Sequence, residues 1–152
     1  MGAPATAVKT YDLSRIKMIV GSNVITGFQD GDAIKVEYDA DLYTKVVGAD
    51  GEVARSATNN RTGKITIGLL YSAEANGAFQ AFKKLDEDGN LGSTSLYVKD
   101  MAGGAEFYAA QAWVMKDPGA TFGREMAARE WVFDCGQIDS VHGGITPPNL
   151  AT

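Results

Sequence analysis

The sequence predicts a mainly β domain with a single helix, and three observations carry that expectation. From Gly31 to Leu70 the chain reads as consecutive short strands in which apolar and polar residues alternate. Within that stretch, Gly48-Ala49-Asp50-Gly51 has the composition of a tight reversal, and only the segment after Ser72 places apolar residues at helical spacing. A period of two gives a strand one buried and one wet face, whereas a spacing of three to four does the same for a helix.

The first two strands are expected over Tyr11 to Val20 and Asn23 to Phe28, broken at Gly21-Ser22 and followed by a turn at Gln29-Asp30-Gly31-Asp32. Ile34, Val36 and Tyr38 then alternate with Lys35, Glu37 and Asp39 to make a third strand. Leu42 to Val47 is dense in β-branched and aromatic residues. The turn after it holds two glycines able to take positive φ and an Asp able to bond its own backbone, so the chain reverses into Glu52 to Ser56 as a hairpin. Beyond the polar loop 57–63, Ile65, Ile67 and Leu69 alternate with Lys64, Thr66 and Gly68.

The helix is expected over about residues 73–86, with Ser72 as N-cap, Glu74 in the first turn and Gly89 as the stop. Ala75, Phe79, Phe82 and Leu85 form its apolar stripe, which reads as a core face that caps or plugs the sheet. Strands return at Ser95 to Lys99 and Glu106 to Met115. In the latter, strict alternation puts Phe107, Ala109, Gln111, Trp113 and Met115 on one face and Tyr108, Ala110, Ala112 and Val114 on the other. Both faces are mostly apolar, the pattern of a strand covered on both sides. Asp117-Pro118-Gly119 ends that strand, and Trp131 to Ile138 is the last. Between them, Glu125 and Arg129 at i,i+4 support a helix, while a hairpin over 124–129 fits equally; the hairpin is the expectation.

At 152 residues the chain supports one core that buries about 70% of the unfolded surface, so a single domain is expected over 1–152. Flexible arms are expected at about 1–10 and 140–152, the latter marked by Gly143-Gly144 and Pro147-Pro148. No apolar run approaches the roughly 20 residues of a membrane span, and Met1 to Thr10 lacks the pattern of a secretory signal, so synthesis in a cytoplasm without membrane insertion is expected. Cys135 is the sole cysteine, which rules out an internal disulfide or a cysteine metal cluster.

The net charge is −5 and only Lys83 and Lys84 are adjacent cations, a poor match to the clustered positive charge of a nucleic-acid binder. Acids do gather: Asp30, Asp32, Glu37, Asp39 and Asp41 stand against Lys35 alone, ordinarily the sign of a solvated face. His142, the only histidine, lies in the Gly/Pro-rich tail away from any Ser or Cys partner. Cys135 sits inside a strand pattern and reads as a small core residue rather than a nucleophile. Asp86, Asp88 and Asn90 imitate the start of a calcium loop, but Leu91 and Tyr97 stand where that loop needs Gly and a bidentate Glu, which leaves a helix-ending acidic turn. Paired carboxylates for glycoside chemistry stay open, because their spacing is three-dimensional. No catalytic residue, metal site or cofactor is expected, and the chain reads as a non-enzyme.

The strings KMIVGSNVITGFQDGDAIKVEYDAD, YTKVVGADGEVARSATNNRTGKITIGLL and FGREMAAREWVFDCG, with the helix between them, resemble the tail tube proteins of contractile-tailed (myovirus-type) bacteriophages over residues from about 15 to 138. The segments before Arg15 and after Ile138 fit least. The resemblance implies a β-sandwich or flattened barrel of antiparallel strands with one flanking helix. It further implies a virion structural protein, made in the host cytoplasm, whose hexameric rings stack into a hollow tube that conducts DNA. Its partners would be copies of itself, the tail sheath, the baseplate hub and the tail terminator, with DNA only in transit. Two alternatives stand beside it: a subunit of a type VI-like secretion tube or bacteriocin tube, and a β-barrel that binds a small apolar ligand. In the tube reading, Tyr43, Val46, Val47, Arg55, Asn59 and Arg61 are the candidate inter-subunit residues, and Glu37, Asp39 and Asp41 the candidate lumen-facing acids.

Overall fold

The computed structural model describes residues 12–101 and 103–143, so the expected N-terminal arm and most of the C-terminal one lie outside the described residues. The chain passes through β1 (Ile16–Val20), β2 (Asn23–Val24), β3 (Ile34–Tyr38), β4 (Tyr43–Val47), β5 (Val53–Ala57), β6 (Thr62–Leu69), α1 (Ala75–Gly89), β7 (Thr94–Asp100), β8 (Glu106–Lys116) and β9 (Arg129–Val141). Seven strands join in the order β2-β1-β7-β8-β9-β6-β3, every pairing antiparallel, while β4 and β5 pair only with each other.

The large sheet curls so that its two edges face a common cleft, lined by Ile16 from β1, Ile34 and Val36 from β3, and Val98 and Phe107 from β7 and β8. The connection 21–33 closes the gap. Ile25 N–H donates to the Met18 carbonyl at 2.9 Å and Gln29 N–H to the Gly68 carbonyl at 3.0 Å, which ties this connection to both halves of the sheet. The result is a flattened barrel filled by side chains: Met18, Val20, Ile65, Ile67, Leu69, Leu96 and Phe133 are all fully buried. Each such residue contributes about 1.5–3 kcal/mol by leaving water.

Helix α1 plugs this barrel through Phe79, whose ring lies edge-on to Trp131 at 5.7 Å and to Phe133 at 4.9 Å. The expected stripe is only partly a core face, because Phe82 is half-buried and Leu85 is exposed. Ser72 is not the N-cap: Glu74 holds that position without a side-chain cap bond. Asn76 fastens the helix start instead, its Nδ2 donating to the carbonyls of Leu70 at 2.9 Å, Ala73 at 3.1 Å and Tyr71 at 3.2 Å. Its Oδ1 accepts the buried Trp131 Nε1–H at 2.9 Å. At the far end Gly89 is still helical and Asn90, with φ 58°, takes the left-handed position that stops the helix. Asp86, the first of the calcium-like acids, accepts from the Gly92 N–H at 2.7 Å and so closes the turn.

Strict alternation fails in β8. Its inward residues are Phe107 and Ala109, then Ala112 and Val114, because Ala110 and Gln111 together face Ser95 in a bulge seen as a register shift against β7. A bulge inserts one residue and swaps the faces beyond it. β9 does the same at Gly136, where the register against β6 slips between Thr62 and Gly63, so that Trp131, Phe133 and Cys135 are followed inward by Ile138. Among the described residues nothing covers the outward face of β8: Tyr108, Trp113 and Met115 are exposed.

Other boundaries also move. The expected first strand begins with a 3-10 turn, Leu13–Arg15, capped by Asp12, and only Ile16 onward is extended. The second shrinks to two residues plus an isolated bridge from Phe28 to Leu69. Between Asp117 and Ala128 the chain forms neither helix nor hairpin. Side-chain contacts organise it instead, with Lys83 Nζ 2.9 Å from Asp117 Oδ2 and Phe122 edge-on to Tyr71. The last strand continues to Val141, so Ser140 and Val141 belong to the sheet rather than to an arm.

Candidate assembly surfaces

The β4–β5 hairpin forms because Tyr43 to Val47 is β-prone throughout and the four-residue turn closes it. Gly48 N–H donates to the Glu52 carbonyl at 2.7 Å, the Asp50 side chain accepts from Glu52 N–H at 3.1 Å, and Gly51 takes φ 88°. All ten strand residues of the hairpin are exposed. Its register, Tyr43 opposite Ala57 and Val47 opposite Val53, puts Tyr43, Lys45, Val47, Val53 and Arg55 on one face and Thr44, Val46, Ala54 and Ser56 on the other. On the first face the Arg55 guanidinium stacks over the Tyr43 ring at 4.1 Å. An isolated two-stranded hairpin is marginal in water. Valines are nevertheless exposed on both of its faces, and none of the described residues covers them.

The six interface candidates divide between two places. Tyr43, Val46, Val47 and Arg55 lie on the hairpin, while Asn59 and Arg61 lie at its root. Arg61 lines a cleft of about 560 Å³ there with Tyr38, Asp41, Leu42, Asp139 and His142. His142 leaves β9 at this point and sets its ring edge-on to Phe107 at 5.2 Å.

The three candidate acids are also separated. Glu37 points outward from β3 and pairs with Lys35 at 2.7 Å; that contact, with Lys64 further off, holds its carboxyl below the usual range. Asp39 accepts from Thr62 Oγ1 at 2.8 Å, and Asp41 lines the hairpin-root cleft. Across the outer face, Glu37 stands opposite Lys64, Lys64 opposite Asp134, and Asp134 opposite Trp113. Of the acidic run, Glu37 thus joins a row of alternating charge, an arrangement that stabilises cross-strand pairs, while Asp39 and Asp41 lie outside it.

The outer face of β1, β7 and β8 is the surface that sequence reasoning missed. Ile19, Tyr97 and Tyr108 follow one another across three strands, Tyr97 and Tyr108 edge-on at 6.3 Å, with Trp113 and Met115 further along β8. Lys99 and Glu106, paired at 3.2 Å, border it. The signal was present in β8, where apolar residues occupy both faces. A second such patch lies at the other end of β6, where Tyr71 shares a cleft with Phe122 and Met126, all three exposed, next to exposed Leu70 in the chain.

Cys135 is buried, and its thiol is pushed up to about 12, chiefly by burial and then by Asp134 and Asp39. It stays protonated at neutral pH, as a core residue does rather than a nucleophile. Among the described residues no three His, Cys, Asp or Glu side chains come together as a metal site, and no helix is long and apolar enough to cross a membrane.

Comparison with known proteins adds a family. Residues 14–143 match the family model described as bacteriophage PhiTE tail tube protein. Structural protein ORF10 of Pseudomonas phage KPP10 is 24% identical over 156 residues, spanning 97% of this chain and 90% of that protein. Among solved structures, the anti-feeding prophage tube-terminating cap superposes with a TM-score of 0.65 at 8% identity, covering 93% of this chain and 97% of the cap chain. A chain of the sheath-tube complex of the PVC extracellular contractile injection system, in its extended state, gives 0.61 at 10% identity, covering 88% and 92%. A chain from the virion of the native gene transfer agent particle gives 0.59 at 12% identity, covering 87% and 99%. At such identities these structures speak for the fold.

Proposed function

Since the chain belongs to the PhiTE tail tube protein family of bacteriophages, we propose that it assembles into stacked rings, six subunits each, forming the inner tube of a contractile tail through which the genome passes. The observation that carries this reading is the β4–β5 hairpin, an arm with apolar residues on both faces that none of the described residues covers. The exposed aromatic outer face of β7 and β8 gives the neighbour within a ring a surface to cover. A contact between unlike surfaces closes into rings when the rotation permits. The sheath around the tube, the baseplate hub below it and the terminator above it are the partners of such a tube.

The hairpin, with Tyr43, Val46, Val47 and Arg55, reaches the neighbouring subunit, and Asn59 and Arg61 seat its root. Glu37, Asp39 and Asp41 face the bore. DNA carries about one charge per 1.7 Å, and a wall of Lys and Arg would hold it by releasing counterions. A wall in which Glu37 is matched by Lys35 and Lys64 releases few, so the genome passes without gripping. The packed interior, with Trp131, Phe79 and Phe133 buried, leaves little to recommend a small-ligand barrel.

Negative-stain electron microscopy over a concentration series tests the proposal directly. Rings or hollow tubes are expected, and monomers at every concentration, including in the presence of baseplate initiator, would contradict it. Reversal of Glu37, Asp39 and Asp41 to Lys is expected to leave tubes intact and to slow DNA delivery. Unchanged delivery would remove these acids from the bore.

A further inference from the structure

We propose that the platform formed by Tyr71, Phe122 and Met126 is the seat of the β4–β5 hairpin of a second copy, so that protomers join head to tail. The inference rests on the tube reading and adds the receiving surface. Strand β6 joins the two regions: the hairpin leaves the body beside Thr62, and the platform begins just past Leu69. Eight strand residues put these ends about 24 Å apart, at roughly 3.4 Å per residue, so the hairpin and the platform are two separate places on the surface.

The platform is exposed yet ordered. Phe122 is 76% and Met126 62% exposed. Tyr71 holds Phe122 edge-on at 6.2 Å and lies under the Arg129 guanidinium at 4.6 Å, while Lys83 anchors the start of the loop through Asp117. Large aromatic and Arg side chains held in place before contact are the composition of interface hot spots, and their prior order lowers the entropic cost of binding. A cleft of about 330 Å³ opens between Tyr71 and the loop.

The hairpin supplies what this surface lacks. Val46, Val47 and Val53 are each more than half exposed. Its turn carries Asp50 and Glu52 and its strands Lys45 and Arg55, while Arg124 and Glu125 line the platform cleft, so each sign on the hairpin has an opposite there. Apolar surface therefore meets apolar surface with opposite charges at the margin, which sets orientation more than affinity. Hairpin-to-hairpin pairing would be two-fold and would stop at a dimer, whereas hairpin on platform leaves a free hairpin and a free platform at every step.

Cysteine cross-linking of assembled tubes tests the seat, since the native thiol of Cys135 is buried. A chain carrying both Val47→Cys and Phe122→Cys, treated with a short bismaleimide, is expected to give a ladder of covalent multimers. Either single variant alone is expected to give none. A second pair, Val53→Cys with Met126→Cys, serves if the first prevents assembly. Tubes that form with both pairs and link with neither overturn the seat, even where shortening the hairpin still abolishes tubes. Tubes that survive the shortening instead overturn the role of the hairpin itself.

Discussion

Strand β6 and the β4–β5 hairpin are near neighbours in sequence and look alike there, yet they meet opposite fates. In β6, Ile65, Ile67 and Leu69 are fully buried against β9 and the helix; in the hairpin, Val46, Val47 and Val53 remain exposed. Alternation in β6 ends in a core because strands pair on both of its sides. Among the described residues the hairpin pairs only with itself, so its apolar residues have no interior to enter. The same pattern of residues builds the core in one place and stays on the surface in the other, where the proposed partner would cover it.

The widest gap between the two regions should appear on truncating a side chain. Phe133→Ala removes one fully buried ring of the Phe79–Trp131–Phe133 cluster and is expected to cost about 3–5 kcal/mol in guanidinium denaturation. Val47→Ala, on the hairpin, should change the stability of the monomer by no more than about 0.5 kcal/mol. Comparable losses at both sites would erase the distinction. A middle effect is expected at Asn76→Ala, which leaves the buried Trp131 N–H and the Tyr71 carbonyl without a partner, while the Leu70 and Ala73 carbonyls keep their backbone bonds, and should cost about 1–3 kcal/mol. Because this loop leads into the platform, hydrogen exchange around Tyr71 should rise while exchange in the hairpin stays as it was.

The smallest effect is a matter of pH. The Lys83 contact, and then the Gly119 N–H, hold the Asp117 carboxyl below its ordinary value. A depressed acid stabilises the fold above the ordinary carboxylate range, about pH 4, and loses that contribution as pH falls through its lowered value. Exchange at Gly119 should therefore stay slow from neutral pH to about 4 and quicken below it. A loop that loosens already near neutrality would separate Asp117 from the order of the platform.

Much of this architecture was legible in the residues. Ile34 to Tyr38, the hairpin with its Gly-Ala-Asp-Gly turn, Ile65 to Leu69 and Phe79 on its helix all sit where periodicity and turn chemistry put them. The bulges were not legible. Ala110 and Ala112 suit either face, so alternation through β8 carried no mark of the slip, and Gly136 was the only local hint in β9. The loop 117–128 misled for a related reason: Glu125 and Arg129 fit a helix or hairpin locally, but Tyr71 and Lys83, distant in sequence, decide its path. Among the candidate residues, the hairpin set shares one arm, whereas the acids looked like one patch only because nothing in the chain order revealed Lys64 opposite Glu37. A cross-strand partner is a property of register, and register is settled by the whole sheet.

The central claim is that the protomer folds without its hairpin and assembles only with it. Replacing residues 43–57 by a short turn and following both denaturation and tube formation puts the two halves of that claim in one experiment. A folded monomer with an unchanged denaturation midpoint and no tubes at any concentration is the predicted result. Tubes of normal length and diameter from the shortened chain would contradict it.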